Sequence, residues 1–191
     1  MNDEKFKRYI IDTIALLKEL ASKAKKDADN PTKGSKDYTQ GAIMGYYSII
    51  TLLKHQAFAF CMDQKELGLA DIKPDIDLLD LGRNPDIDFG EDNWEIDVMN
   101  EERVKGYLND SIKLLKDQAR EAKQEADNPK KGLEDYNQGH LMAYHSVISL
   151  LKHQAFVLNI DEKELGLSDI GSDTDLLSLH KRTDIDPEQD L

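Results

Sequence analysis

The chain repeats itself. Asp29-Asn30-Pro31 returns as Asp127-Asn128-Pro129, Lys54-His55-Gln56-Ala57-Phe58 as Lys152-His153-Gln154-Ala155-Phe156, and Glu66-Leu67-Gly68-Leu69 as Glu164-Leu165-Gly166-Leu167. Each pair is 98 positions apart, and roughly half of the positions aligned at that offset are identical, the signature of a tandem duplication. The fold must be one that two copies of the same unit build together. In a chain of 191 residues each unit is marginal alone, because a small domain buries too little of its surface. Residues 1–98 and 99–191 are therefore expected to be two helical repeats that share a core, each followed by an acidic segment.

Each repeat reads as a helical hairpin. Ile10, Ile14, Leu17, Ala21, Ala24 and Ala28 alternate steps of four and three, which places them on one stripe of a helix from about Glu4 to Ala28. Leu108, Ile112, Leu115, Ala119, Ala122 and Ala126 keep the stripe. Asp29-Asn30-Pro31 ends the helix, since proline cannot extend it and pushes its predecessor out of the α region. The short connection, with Gly34 or Gly132 to reverse the chain, implies an antiparallel second helix. That helix is expected to start with Asp37 as N-cap and Gln40 three residues on, repeated as Asp135 and Gln138, and to run to about Met62. Its main stripe is Ile43, Tyr46, Ile50, Leu53, Ala57 and Phe60. A capping box from Asp63 to Glu66, closed by Gly68, implies a further helix of one or two turns with Leu67 and Leu69 as apolar plugs. Gly41 and Gly139, inside helix starts, read as points of close helix contact rather than ligand contacts.

The second helix is semi-apolar on its other side as well. Met44, Ser48, Thr51, His55, Phe58 and Met62 share a face, and the second copy keeps Met142, Ser146, Ser149, His153, Phe156 and Ile160. A solvated face carries Lys and Glu instead, so this one is expected either to pack against the other second helix or an acidic tail, or to be a partner groove. Met44, His55, Phe58, Met142, His153 and Phe156, with the single Trp94, are the candidate binding surface. Tyr38, Gln40 and Tyr46, with Tyr136, Gln138 and Tyr144, form a retained polar cluster. Its ordinary explanation is capping and packing, and its functional one a shared cleft at the hairpin mouth.

Charge is unevenly spread. The formal net charge is −13, yet residues 71–102 carry −10 and residues 161–191 carry −7. The remainder, the hairpins, is mildly basic. Such a balance argues against direct nucleic-acid binding, which needs a cationic surface, and against an anionic membrane surface. It leaves room for a basic protein or a cation as partner. The charged start, Met1 to Arg8, has no apolar run behind it, no stretch approaches a membrane span, and Cys61 has Asn159 as its counterpart, so a cytoplasmic protein is expected.

Catalytic patterns are thin. Ser48 lies two turns from His55, about 10 Å along the helix axis, beyond the reach of a nucleophile–base pair. A metal at His55 and His153 would need the two to meet across a two-fold axis or to recruit other ligands. His145, Ser149 and His153 share a face, but histidines eight residues apart cannot share an ion on a straight helix. Asp86, Asp88 and Asp92, repeated as Asp184, Asp186 and Asp190, alternate as Ca²⁺ ligands do, but Gly90 and Asp97 fall where an EF-hand loop needs other residues. A Mg²⁺-dependent helical pyrophosphohydrolase needs inward glutamates, and no inward stripe offers them. No cofactor motif is present.

The resulting expectation is an all-α protein, a pseudo-two-fold four-helix bundle draped by acidic irregular tails. Its expected role is that of a non-enzymatic module binding a basic partner, as an immunity or inhibitor protein does. A metal-binding or catalytic bundle using the repeated histidines is the first alternative, and a structural homo-oligomer the second.

Overall fold

The computed structural model describes residues 3–29, 35–81 and 101–170. Over these residues it has five helices and no strand: α1 (Asp3–Asp29), α2 (Lys36–Ala59), α3 (Pro74–Asp77), α4 (Glu101–Asp127) and α5 (Glu134–Val157). The four long helices form the all-α bundle anticipated from the stripes. Ile10, Ile14, Leu17 and Ala21 of α1 are buried, as are Leu108, Ile112, Leu115 and Ala119 of α4. Both stripes face Ile50 and Leu53 of α2 and Ile148 and Leu151 of α5, within one continuous core.

The most extensive contact is between α2 and α5, and it is made by glycine. A Cβ placed on Gly41 would lie 1.9 Å from the carbonyl oxygen of Tyr136, and one on Gly139 would lie 1.9 Å from the carbonyl oxygen of Tyr38. The two helices touch backbone to backbone, with Cα–H bonds directed at opposing carbonyls. Contacts advance together, Gly41 meeting Tyr136 and His140 and Gly45 meeting His140 and Ala143, so α2 and α5 run parallel. Space at the next turn admits one methyl only: a Cβ on Gly45 would lie 2.5 Å from that of Ala143. This accounts for glycine in one half and alanine in the other.

The reciprocity continues across the core. The Tyr9 hydroxyl of α1 donates to the Leu151 carbonyl of α5 at 3.1 Å, and the Tyr107 hydroxyl of α4 donates to the Leu53 carbonyl of α2 at 3.2 Å. Each outer helix is thus bonded to the inner helix of the other half, and each tyrosine is fully buried. Paired contacts of this kind are what a two-fold relation requires.

Helix ends differ from expectation in three places. The N-cap of α2 is Ser35, not Asp37: its extended backbone (φ −77, ψ 153) lets its Oγ accept the Tyr38 N–H at 3.1 Å. Asp37 instead sits in the first turn, where its charge suits the helix dipole. At α5 the N-cap is Leu133, without a side-chain bond, rather than Asp135. Finally, α2 stops at Ala59, short of Met62. The Cys61 N–H donates to the Phe58 carbonyl and the Met62 N–H to the Ala57 carbonyl, with Cys61 left-handed at φ 49. This is a Schellman closure, and it folds Met62 back into the core, where it is 6 % exposed. Asn159 (φ 51) and Ile160 repeat it after α5.

The short helix expected from Asp63 is a single hydrogen-bonded turn. Asp63 Oδ1 accepts the Lys65 N–H, and Gly68 (φ 73) closes the turn with bonds from its own N–H to Lys65 and from the Leu69 N–H to Gln64. Leu67 and Leu69 are fully buried plugs, as are their counterparts Leu165 and Leu167. Lysines pin these turns. Lys18 Nζ donates to the Gly68 carbonyl at 3.1 Å and to Asp71 at 2.5 Å. Lys116 does the same with the Gly166 carbonyl at 2.8 Å and with Asp169. Each lysine holds its aspartate below the ordinary carboxylate range.

Replacing Gly41 or Gly139 by alanine should destabilise the protein by at least ~2–3 kcal/mol, because the new methyl meets a backbone carbonyl that cannot move aside. The helix-propensity gain of ~1 kcal/mol for such a change is too small to offset it. Urea unfolding measures the difference, and a stabilised Gly41→Ala protein would contradict the packing. In the opposite direction, Cys61→Gly should raise stability by ~1 kcal/mol, since it relieves a left-handed non-glycine residue at an exposed position.

Candidate functional site

Burial separates the retained residues into two groups, one inside the α2–α5 contact and one on the surface. At about 100° per residue, Gly41, Gly45, Ser48 and Leu52 define a line between the main stripe of α2 and its second face. The second face is thereby divided. Met44 and Ser48 are half-buried beside α5, whereas His55 is exposed and Phe58 is 52 % exposed. On α5, Met142 and Ser146 are half-buried, His153 is exposed, and Phe156 is 82 % exposed with Val157 beside it. Because α2 and α5 are parallel, Phe58 and Phe156 stand near the same end of the bundle. Trp94 lies outside the described residues, as do Asp86, Asp88 and Asp92 and their counterparts.

The tyrosines of the polar cluster belong to the buried group, and its glutamines do not. The hydroxyl of Tyr46 lies within hydrogen-bonding reach of Ser146, and that of Tyr144 within reach of Ser48 and of Gln118 Oε1, the last at 3.2 Å. Tyr46 and Tyr144 are buried, Tyr38 and Tyr136 half-buried, and Gln40 and Gln138 exposed. Burial raises all four phenols, with Tyr144 pushed up to about 12. The tyrosines line the helix contact itself.

Sequence reasoning passed over Tyr9 and Tyr107, the two phenols that tie the halves together. The signal was available, since they occupy equivalent positions and lie one turn before Thr13 and Ser111 beside the apolar stripe. Thr13 and Ser111 line a central cavity with Tyr9, Tyr107, Leu53 and Leu151. Its volume of about 20 Å³ suits a single water at most, far from the several hundred Å³ of a substrate pocket.

His140 has Ala42 at its equivalent position in the first half. It packs between Tyr136 and Tyr144, with ring centroids at 6.3 and 5.3 Å. His55 and His153 point outward on separate helices, and among the described residues no group of three His, Cys, Asp or Glu side chains converges to hold a metal. Asp75 and Asp77 serve α3: Asp75 accepts the Tyr47 hydroxyl at 2.9 Å and Asp77 the Lys73 N–H at 2.7 Å. None of the described helices is long and apolar enough to cross a membrane.

Comparison with protein-family models, curated proteins and solved structures finds no match.

The buried phenols set an alkaline limit. Burial raises Tyr9 and Tyr107 far above the ordinary phenol value. The unfolded chain releases these protons from about pH 10 while the folded chain keeps them, so stability should fall as pH climbs past that point. A Tyr9→Phe/Tyr107→Phe variant should lose ~1 kcal/mol per hydrogen bond at neutral pH and show a shallower alkaline decline in pH-dependent denaturant titrations. Parallel alkaline profiles would count against the burial.

Proposed function

We propose that this protein is a non-enzymatic binding module for a basic protein, with Phe58 and Phe156 as its apolar anchors. The observation that carries the reading is their exposure, 52 % and 82 %, at equivalent positions on α2 and α5. Burying an exposed phenylalanine is worth about 2–3 kcal/mol, which is the scale of an interface hot spot. His55 and His153, one turn earlier on the same faces, form the polar rim.

Charge selects the partner. The chain carries a net −13, and several cations of the hairpins are held within the fold. Lys18 and Lys116 bind the aspartates of their turns, Lys25 pairs with Asp29 and Asp80, and Lys54 Nζ donates to the Leu69 and Ile72 carbonyls. A cationic protein is therefore steered toward the surface and gripped by the aromatic anchors, as an immunity or inhibitor protein grips its target. The cytoplasm is the compartment this reading assumes.

The test is affinity capture from the native host with wild-type protein and a Phe58→Ala/Phe156→Ala variant. A strongly basic protein should be retained by the wild type at low salt and released by high salt. The variant should bind that protein at least about 30-fold more weakly while remaining folded, since neither side chain belongs to the buried core. Retention unaffected by either change would sink the reading. Light scattering over a range of concentrations tests the competing assignment of the same face to a homo-oligomer, which requires mass to grow with concentration and to drop in the variant.

A further inference from the structure

The contact between α2 and α5 contains one ionisable group that its equivalent position lacks. Where the first half has Ala42, the second has His140, and both ring nitrogens, Nδ1 and Nε2, are buried without a hydrogen-bond partner among the described residues. A neutral imidazole needs one donor and one acceptor satisfied, and an imidazolium needs two acceptors. Neither is met here, and the deficit is larger for the charged ring, because an unpaired charge costs more to bury than an unpaired dipole.

The surroundings fix how the ring can respond. On α5 it is flanked by Tyr136 and Tyr144. Across the contact, α2 presents Gly41 and Gly45, and a Cβ on Gly45 would lie 3.2 Å from His140 Cδ2, so the ring is wedged against the α2 backbone. The ionisable side chains of that stretch of α2 are the phenols Tyr38 and Tyr46. From α4 the charge that acts on His140 is Glu125, an exposed residue whose carbonyl accepts the Asn137 side-chain N–H at 2.9 Å. Glu121 and Glu125 also act on the adjacent Tyr144.

We propose that His140 is an acid-sensitive catch on the closed contact of α2 and α5. Neutral, the ring fills the space opposite Gly45 and seals the crossing. Protonated, it must leave that space for water or for the Glu125 carboxylate, and the closest helix pair of the bundle loosens.

The sign follows from linkage. Burial lowers the His140 pKa, and Glu125 opposes that shift only in part. Above the ordinary histidine range both folded and unfolded chains are neutral at this site, and nothing is lost. As pH falls through that range the unfolded chain takes up a proton that the folded chain refuses, so stability drops with acidification.

The experiment compares wild type with His140→Ala, which installs the residue of the equivalent site, in urea unfolding at steps from pH 7.5 to pH 5. Relative to the variant, the wild-type unfolding constant should rise by up to about tenfold per pH unit below about pH 6.5, the limit set by one proton. Amide exchange at residues 38–46, corrected for its intrinsic pH dependence, should accelerate in the same window in wild type alone. Parallel profiles for the two proteins would overturn the proposal. Should the variant not fold, the wild-type imidazole resonances decide: His140 titrating below the other histidines supports the catch, and titration in or above the ordinary range refutes it.

Discussion

Two helix backbones in contact, α2 against α5, set the terms for the rest of this protein. Gly41 and Gly139 let each helix reach the carbonyl oxygen of Tyr38 or Tyr136 on the other. A pair so close cannot place side chains between its axes at that level, so the apolar stripes of α2 and α5 turn sideways, and α1 and α4 cover them. The covering helices are then near enough to bond across the core, Tyr9 to the Leu151 carbonyl and Tyr107 to the Leu53 carbonyl. Both inner helices run in the same direction, which brings Phe58 and Phe156 to one end of the bundle. Architecture and candidate surface thus descend from the absence of two methyl groups.

An acidic chain has to manage its own repulsion, and this one does so with lysine. Lys18 and Lys116 join carbonyl and carboxylate of the same turn, so that each contact fixes a loop as well as a charge. Lys54 is held by two carbonyls, and its pKa is lowered by burial and then by nearby Lys73. The exposed pairs add little stability singly. Their effect is to keep the turns carrying Leu67, Leu69, Leu165 and Leu167 seated on the bundle, where burial of those side chains is worth about 2 kcal/mol each.

Much of this was legible in the amino-acid order. The i, i+4, i+7 stripes from Ile10 and Leu108 become the core. Leu67 and Leu69 read as plugs and are fully buried, and Gly41 and Gly139 read as points of close helix contact and are so. The misses share a cause. Asp37 and Ser35 are both competent caps, and local chemistry cannot choose between them; the extended backbone at Ser35 does. Cys61 gives no warning of a left-handed conformation, because the advantage of that turn, burying Met62, exists only in the assembled core. The second face of α2 looked uniform, and it divides where α5 ends its coverage.

Composition and spacing alone determined that the chain is helical, that its motifs recur at a fixed offset, and which residues would be inward on the outer helices. Those properties depend on neighbours within a turn or two, and on an offset that can be counted. Tertiary structure decided the parallel pairing of α2 with α5, the exposure of Phe58 and Phe156, and the enclosure of His140 opposite Gly45. Each depends on distances between residues nearly a hundred positions apart, where a missing Cβ or an occupied cavity carries the energy and no local pattern records it.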